Sequence, residues 1–321
     1  MRFALMIEPQ QGLSYLEQLA IARTAEEAGF ETLLRSDHYT SFPGAAGLPT
    51  TDAWTVVAGL ARETERIRLG VLVSPVTYRI PGAFAKVVGT ADEMSGGRIE
   101  VGLGAGWNEQ EHAELGIPFP PLRERFDRLE EAVAIVHGLW TEPDGWSYDG
   151  RFWQVRDARL RPAPASGGRR HPHFIIGGSA GPRALRLAAT YADEYDLTSA
   201  SPASAATMVE HLDAACRGIG RDPTTIVRSA MTGMVIGRSA AEVEARLAAQ
   251  VEMFGIATDE AEAWLDSRRD RWILGTPDEA RAGIAAFAQA GVERLVLQSF
   301  LPRDLEMISQ AGELVAQVAG A

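Results

Sequence analysis

The stretch IEVGLGAGWNEQE, residues 99–111, predicts a short apolar strand that ends in closely spaced glycines. Glycines at the carboxyl end of a strand allow a sharp turn and let a planar or anionic ligand approach the backbone amides, because they have no Cβ atom. The spacing G-x-G-x-G lacks the last glycine of the dinucleotide-binding fingerprint, so on its own it fits an ordinary strand-to-loop turn equally well. An aromatic ring, an amide and a carboxylate follow on the same rim, from Trp107, Asn108 and Glu111.

Strands and helices alternate on both sides of this stretch. Besides the strand that begins at Ile99, the hydrophobic patterns predict strands over residues 2–7, 31–35, 67–74, 174–176, 194–198, 226–236 and 294–298. Helices are predicted between them, over residues 15–28, 51–63, 81–94, 123–140, 184–192, 204–219, 277–290 and 305–318. Eight such repeats over ~250 residues or more are typical of a (β/α)8 TIM barrel. A doubly wound open sheet is the alternative, and the barrel is favoured because no break in composition marks a domain boundary.

Two segments lie outside the simple alternation. One contains a predicted hairpin over residues 146–160 that turns at Asp149-Gly150, a pair that supplies positive φ at little cost. The other lies near two additional helices, predicted over residues 240–254 and 259–268. We therefore predict a single domain over residues 1–321, with insertions at about 141–172 and 255–275.

The composition limits which cellular location and which classes of binding partner we expect. The chain has no apolar run near the ~20 residues that a membrane helix needs and no signal-peptide core, so we expect a cytoplasmic protein without a membrane partner. A single cysteine, Cys216, fits a reducing compartment and a small buried side chain rather than a nucleophile. The net charge of −12 argues against nucleic acid as a partner. No metal site is predicted.

The charge is unevenly spread. Between residues 151 and 170, Asp157 is the one acidic residue among six basic ones: Arg151, Arg156, Arg159, Arg161, Arg169 and Arg170. A solvated loop face is the favoured interpretation of this arginine-rich segment. The alternative is a site for the anionic tail of a cofactor.

In a (β/α)8 barrel the catalytic groups lie at the carboxyl ends of the strands. That rule selects a short set of candidate positions: Glu8, Asp37 with His38, residues 72–74, 104–111 and 177–180, and Gln298 with Ser299.

These landmarks, in this order, resemble the luciferase-like family of flavin and deazaflavin oxidoreductases. The matching segments span nearly the whole chain: SDH (36–38), IRLGVLV (67–73), YRIP (78–81), AKVVGTADEMSGGRIEVGLGAGWNEQE (85–111), ERFDRLEEAVAIVHGLW (124–140), DGRFWQV (149–155), RPAP (161–164) and IIGGSAGPRALRLAATYADEYD (175–196). Two later segments, IVRSAMTGMVIG (226–237) and LGTPDEARAGIAAFAQAGVERL (274–295), are similar to the subgroup that uses coenzyme F420 in actinobacteria.

The resemblance implies a cofactor site for coenzyme F420, with FMN as the alternative. It implies that the Leu72–Val73 peptide is a non-proline cis bulge that backs the middle ring, and that two glycine loops line the ribityl and phosphate arm. The amides that begin the helix after the fifth barrel strand would face the phosphate. The cofactor-binding residues so implied are Asp37, Leu72, Val73, Gly104, Ala105, Gly106, Trp107, Gln110, Gly177, Gly178 and Ser179.

His38 is the predicted catalytic residue. In F420-dependent members the histidine of the SDH motif lies against the deazaflavin ring, and His38 matches it. A histidine titrates near neutrality and can donate or accept a proton beside a hydride-transfer centre. A hydrogen-bonded structural histidine is the alternative.

The substrate pocket departs from that of the sugar-phosphate-oxidising members, because Trp107 stands where they place a catalytic acid. We therefore expect a more apolar pocket, with Phe42 and Tyr78 as further candidates and core packing as the alternative for Tyr78. The predicted substrate-binding residues are Trp107, Asn108, Glu111 and Phe42. Loop capping is the alternative role for Asn108, Gln110 and Glu111.

Three functions follow from the sequence. The leading one is an F420-dependent oxidoreductase that moves a hydride between the deazaflavin and a small carbonyl, imine or activated alkene. The second is a two-component monooxygenase that uses reduced FMN and oxygen. The third is a non-catalytic flavin-binding barrel, because a fold does not fix a function. Members of the family are often dimers, so a homodimer is expected.

Overall fold

A computed structural model describes residues 1–165 and 170–319 of the chain. The strands in this part are β1 (Arg2–Ile7), β2 (Thr32–Arg35), β3 (Arg68–Pro75), β4 (Ile99–Gly104), β5 (Trp146–Asp149), β6 (Gln154–Ala158), β7 (His173–Gly178), β8 (Glu194–Leu197), β9 (Val227–Ile236), β10 (Ile273–Gly275) and β11 (Arg294–Ser299). The helices are α1 (Tyr15–Glu27), α2 (Ala53–Glu63), α3 (Pro81–Ser95), α4 (Glu109–Glu114), α5 (Leu122–Thr141), α6 (Pro182–Tyr191), α7 (Pro202–Gly218), α8 (Ala240–Met253), α9 (Ala261–Arg269), α10 (Pro277–Gln289) and α11 (Leu305–Ala319).

Eight of these strands close into a parallel barrel. Around the barrel their order is β1, β2, β3, β4, β7, β8, β9 and β11, and β11 pairs with β1 to complete the circle. An open sheet would end in two unpaired edges, so closure confirms the predicted TIM barrel and excludes the doubly wound alternative. The barrel strands are buried along most of their length, as expected for strands that are covered by helices on one side and by the barrel core on the other.

A belt of buried charges fills the barrel interior near the amino ends of the strands. The guanidinium of Arg294, which is fully buried, donates to Glu100 at 2.8 Å and to Glu194 at 2.9 Å. Thr32 accepts from the same guanidinium at 2.6 Å. Each of these charges has a partner of opposite sign, which is the condition for burying them at acceptable cost.

The first insertion is confirmed as a hairpin. Strands β5 and β6 pair antiparallel, and the hairpin packs on α5, where Glu131 accepts from the backbone amides of Arg151 and Phe152. The hairpin arginines form ion pairs with aspartates at 2.7–3.9 Å, which favours the solvated-face interpretation of the arginine-rich segment. Arg169 lies outside the described residues. The ion pairs are Arg151–Asp127, Arg156–Asp149, Arg159–Asp157 and Arg161–Asp144.

Two short elements were not predicted. Helix α4 begins inside the stretch that we interpreted as a loop, and Asn108 caps it. Strand β10, three residues long, pairs in parallel with the end of β9 inside the second insertion. Neither element is long enough to show a hydrophobic period. Across the described ranges, no helix combines the length and the apolar character needed to cross a bilayer.

Asp196 on β8 makes folding stability depend on pH. Burial, and then the negative charge of Glu194, raise the pKa of Asp196 to about 7. The folded protein therefore holds a proton that the unfolded chain releases near pH ~4, so stability falls as the pH rises from about 4 to about 7. We expect the free energy of unfolding of the Asp196→Asn variant to lack this decline, which amounts to at most about 1.4 kcal/mol per pH unit.

Urea unfolding at a series of pH values between 4.5 and 8 measures the difference between wild type and variant. Asp149→Asn, which changes an exposed aspartate of the hairpin, serves as the control. Parallel pH profiles for wild type and Asp196→Asn would contradict the assignment.

Candidate active site

His38 lies just beyond β2 and is held by a buried carboxylate. Its Nδ1 is 2.9 Å from Oε1 of Glu111, a residue of α4 that is only 1% exposed. The second oxygen of Glu111 accepts from the backbone amide of Tyr39 at 3.0 Å. The carboxylate thus fixes the imidazole through Nδ1, and Nε2 is the ring nitrogen that this contact does not use.

Glu111 is ionised in this setting. Burial opposes the charged form, but the hydrogen bonds from His38 and from the Tyr39 amide outweigh it and lower the pKa of Glu111. The Tyr78 hydroxyl is buried beside it, and burial followed by the neighbouring Glu111 carboxylate raises the pKa of Tyr78. The site therefore presents an anion behind the imidazole and a neutral phenol next to it.

Two aromatic rings surround the imidazole. The ring of Phe42 meets that of His38 edge-on at 4.5 Å between centroids, and the ring of Trp107 does so at 5.6 Å. Phe42 and Trp107 also contact each other, at 5.3 Å. Trp107 is 65% exposed, so a large apolar surface lies open next to the histidine.

The Leu72–Val73 peptide is cis, as the resemblance implied. The pairing of β3 with β4 shifts at the same place, between Val71 and Ser74. At this bulge the side chain of Val73 lies beside β4, which pairs with β3, and beside β7, which is the next strand of the barrel.

The side chain of Val73 takes up the space beside three glycines of those strands. A Cβ atom on Gly102 would lie 2.8 Å from Val73 Cγ1, one on Gly104 2.6 Å from Cγ2, and one on Gly177 3.0 Å from Cγ1. At Gly104 the packing of Val73 therefore excludes a side chain. At Gly102 the carbonyl oxygen of Val71, at 2.6 Å, is a closer obstacle than Val73, and at Gly177 the contact is tight and would require Val73 to shift. We interpreted Gly104 and Gly177 as openings for a ligand, and that role stays a prediction; the structure adds that Val73 occupies the space beside both glycines.

The two glycine loops are adjacent. Leu103 on β4 pairs with Ile176 on β7, and a Cβ on Gly104 would lie 3.9 Å from the carbonyl oxygen of Gly177. Beyond Gly177 the exposed Ser179 leads into α6, whose first residue is Pro182 and whose N-cap residue provides no side-chain hydrogen bond. Because Pro182 has no N–H, the first amides that α6 could offer to an anion are those of Arg183 and Ala184.

Asp37 belongs to the frame of the site. Its side chain is buried and accepts from Ser74 at 2.8 Å and from Arg79 at 2.5 Å. Arg79 also binds Asp52 at 2.6 Å and the Tyr39 hydroxyl at 2.8 Å. The predicted contact of Asp37 with the cofactor stays a prediction; within the protein both of its oxygens accept hydrogen bonds, from Ser74 and Arg79.

Three other predicted residues make contacts within the protein. Asn108 caps α4 by accepting from the Glu111 amide at 3.4 Å, which realises the capping alternative. Gln110 is exposed and donates to Glu114 at 2.7 Å on the same helix. Glu111 is buried and contacts His38, and its predicted contact with a substrate stays a prediction.

The opposite side of the mouth contains a cavity of about 230 Å³ that the sequence did not reveal. It lies at the ends of β8, β9 and β11, and Arg268 and Arg271 from the second insertion are among the residues that line it. Of its lining residues, only Gln298 had been selected, through the barrel rule. Elsewhere in the described residues, no group of three or more histidine, cysteine, aspartate or glutamate side chains could hold a metal ion.

Comparisons with known proteins agree with this geometry. A family model described as "Luciferase-like monooxygenase" matches residues 1–294. The chain is 29% identical to an FMNH(2)-dependent dimethylsulfone monooxygenase of Pseudomonas putida over 88% of this chain and 82% of that protein. It is 36% identical to an F420-dependent glucose-6-phosphate dehydrogenase of Nakamurella multipartita over 59% of this chain and 53% of that protein, about half its length. Among solved structures, an F420-dependent secondary alcohol dehydrogenase in complex with an F420-acetone adduct superposes with a TM-score of 0.79 at 20% identity, over 98% of both chains.

The packing of Val73 on Gly104 is open to a double-mutant test. Gly104 does not have a positive φ, so alanine meets no backbone penalty there, and its cost comes from the collision with Val73. We expect Gly104→Ala to lower the free energy of unfolding by roughly 1–3 kcal/mol. Combining it with Val73→Ala should recover about 1 kcal/mol or more of the summed losses, because the smaller side chain leaves room for the new methyl group.

Urea unfolding followed by circular dichroism measures all four proteins. Gly82→Ala, at a position where an added Cβ meets nothing within 4 Å, is the matched control and should combine with Val73→Ala additively. Additive losses for Gly104→Ala and Val73→Ala would show that the two side chains do not compete for the same space.

Proposed function

The chain belongs to the luciferase-like monooxygenase family, and from that premise we propose that it is an oxidoreductase that transfers a hydride between coenzyme F420 and a small carbonyl, imine or activated alkene. The observation that carries the proposal is the imidazole of His38, held through Nδ1 by the buried Glu111 with Nε2 left for another partner. A reduction of this kind needs a proton beside the hydride acceptor, and a positioned imidazole is a suitable donor.

The residues at the mouth fit a flat tricyclic coenzyme. The side chain of Val73 and the bulge at Leu72 give an apolar surface without projecting Cβ atoms from Gly104 or Gly177. The free amides at the start of α6 suit a phosphate group on the coenzyme's arm. In this proposal Ala105, Gly106, Gly178 and Ser179 line that arm.

The chain's own residues have distinct roles in the proposed reaction. Reduced F420, when bound, supplies the hydride. His38 holds a proton at Nε2 and delivers it to the substrate atom that gains electron density, so that hydride and proton together reduce the double bond. Glu111 keeps the imidazole oriented and balances its charge in the protonated form. Phe42 and Trp107 shield this region from water and present an apolar surface to the substrate.

A second candidate function has its own support. The dimethylsulfone monooxygenase, whose name gives FMNH(2) dependence, aligns over most of both chains. An apolar mouth would equally protect a flavin that reacts with oxygen. The coenzyme therefore separates the two candidates.

Titration of the purified protein with each coenzyme tests the proposal. We expect oxidised F420 to bind with micromolar affinity, seen as a change in its absorption and fluorescence, because the apolar wall takes up its ring. Reduced F420 should be consumed in the presence of a carbonyl, imine or enone from a broad panel, without oxygen uptake. Binding of FMN alone, accompanied by oxygen uptake, would support the monooxygenase instead. Coenzyme binding with no turnover across the panel would favour a non-catalytic barrel.

Glu111→Gln tests the positioning of His38. Glutamine retains an oxygen near His38 Nδ1 but removes the charge that stabilises the protonated ring, so we expect kcat to fall by about tenfold to a hundredfold. The dissociation constant for F420 should change little, because Glu111 is buried behind the histidine. Steady-state kinetics with the fastest substrate of the panel gives both values. Glu114→Gln, on the exposed side of the same helix, is the matched control, and an equal effect of the two substitutions would contradict the role of Glu111.

A further inference from the structure

The cavity at the ends of β8, β9 and β11 carries two arginines without acidic partners. Within the described part of the chain, neither Arg268 nor Arg271 has a carboxylate oxygen within 4 Å. Arg269, which lies between them in sequence, instead forms an exposed ion pair with Asp266 at 2.7 Å. Two neighbouring guanidinium groups are thus unneutralised in a protein whose net charge is −12.

Internal contacts hold both guanidinium groups in place. The Arg268 guanidinium lies 3.6 Å from the centroid of the Trp264 ring and donates to the Trp264 carbonyl at 2.8 Å. Arg271 donates through Nε and Nη2 to the carbonyl of Ser267, at 3.2 and 3.0 Å. Both side chains keep N–H groups for another acceptor, and Arg268 Nε is buried with no hydrogen-bond partner among the described residues.

The walls of the cavity strengthen any charge–charge interaction in it. Phe254, Trp272 and Phe300 provide aromatic surfaces, and the rings of Trp272 and Phe300 stack at 5.6 Å. Such walls exclude water and lower the local dielectric constant. Burial, and then the like charge of Arg271, lower the pKa of Arg268, so an anion would relieve an unfavourable arrangement. Ser199 and Gln298 add polar groups to the lining.

The position of the cavity points to the substrate and not to the coenzyme. In a barrel of eight strands, those four places apart face each other, so β9 lies opposite β3 and β11 lies opposite β4. The cavity therefore lies across the mouth from the Val73 wall and the Gly104 loop. A coenzyme ring on the wall would turn its free face toward the arginines, while its phosphate would lie at α6, which follows β7.

We propose that this cavity binds the anionic group of the substrate, and that the enzyme acts on a small organic acid whose carboxylate is held by Arg268 and Arg271. A planar carboxylate matches the fork of a guanidinium and can accept two hydrogen bonds from it. The apolar surface of Phe42 and Trp107 receives the body of the substrate, next to His38. This assignment rests on the proposed function and specifies its substrate class.

Binding of benzoate and of the uncharged benzamide tests the assignment. The two probes have nearly the same shape, and calorimetry with the F420-loaded protein reads binding without turnover. We expect benzoate to bind at least about tenfold more tightly than benzamide. A ratio of this size corresponds to the free energy of one charge-assisted hydrogen bond. Arg268→Gln and Arg271→Gln should each weaken the binding of benzoate by about tenfold. Arg269→Gln, which makes the same charge change on the exposed side, should leave benzoate affinity unchanged.

The outcomes separate the possible sources of the anion. Equal affinity for benzoate and benzamide, or an equal loss in Arg269→Gln, would overturn the site. Weaker binding of F420 in Arg268→Gln and Arg271→Gln, with benzoate affinity unchanged, would assign the arginines to the coenzyme and also overturn it. Because Arg268 packs on Trp264, Arg271→Gln provides a second variant if Arg268→Gln unfolds. Selective benzoate binding by the coenzyme-free protein, without any F420 binding, would retain the anion site while rejecting the F420 proposal.

Discussion

The packing of one side chain, Val73, shapes the mouth of this barrel. At the bulge in β3, Val73 lies against three glycines on β4 and β7: a Cβ atom would collide with it at Gly102 and Gly104 and would make a tight contact at Gly177. Val73 thereby joins three consecutive strands at their carboxyl ends and creates an apolar wall between the two glycine loops. The first two glycines of the G-x-G-x-G pattern thus make room for packed atoms, whereas Gly106 is required by its positive φ.

Two buried carboxylates then organise the polar side of the mouth. Asp37 binds Ser74 at the bulge and Arg79, while Glu111 binds His38. Since both anions are satisfied within the protein, they serve as supports for the groups that face outward. On the opposite side of the mouth the charged groups are cations, and among the described residues Arg268 and Arg271 have no carboxylate partner. The mouth therefore has a neutral wall, a supported imidazole and an unneutralised cationic cavity.

The sequence predicted the fold well because alternating strands and helices are a local pattern of long elements. It also placed His38 and both glycine loops at the mouth through the rule for parallel barrels. It failed where roles depend on partners distant in the chain: Glu111 meets a histidine 73 positions away, and Asp37 meets Arg79. Arg268 and Arg271 were not selected from the sequence, because the absence of a carboxylate neighbour is visible only in three dimensions. Helix α4 and strand β10 were too short to show a period.

A crystal structure of the protein with F420 tests the central claim most directly. The account predicts a deazaflavin ring lying on Val73, with Nε2 of His38 within hydrogen-bonding distance of the ring or of a bound substrate, and with the opposite face of the ring open toward Arg268 and Arg271. A ring bound elsewhere, or one with its arm in the arginine cavity and His38 turned away, would contradict it.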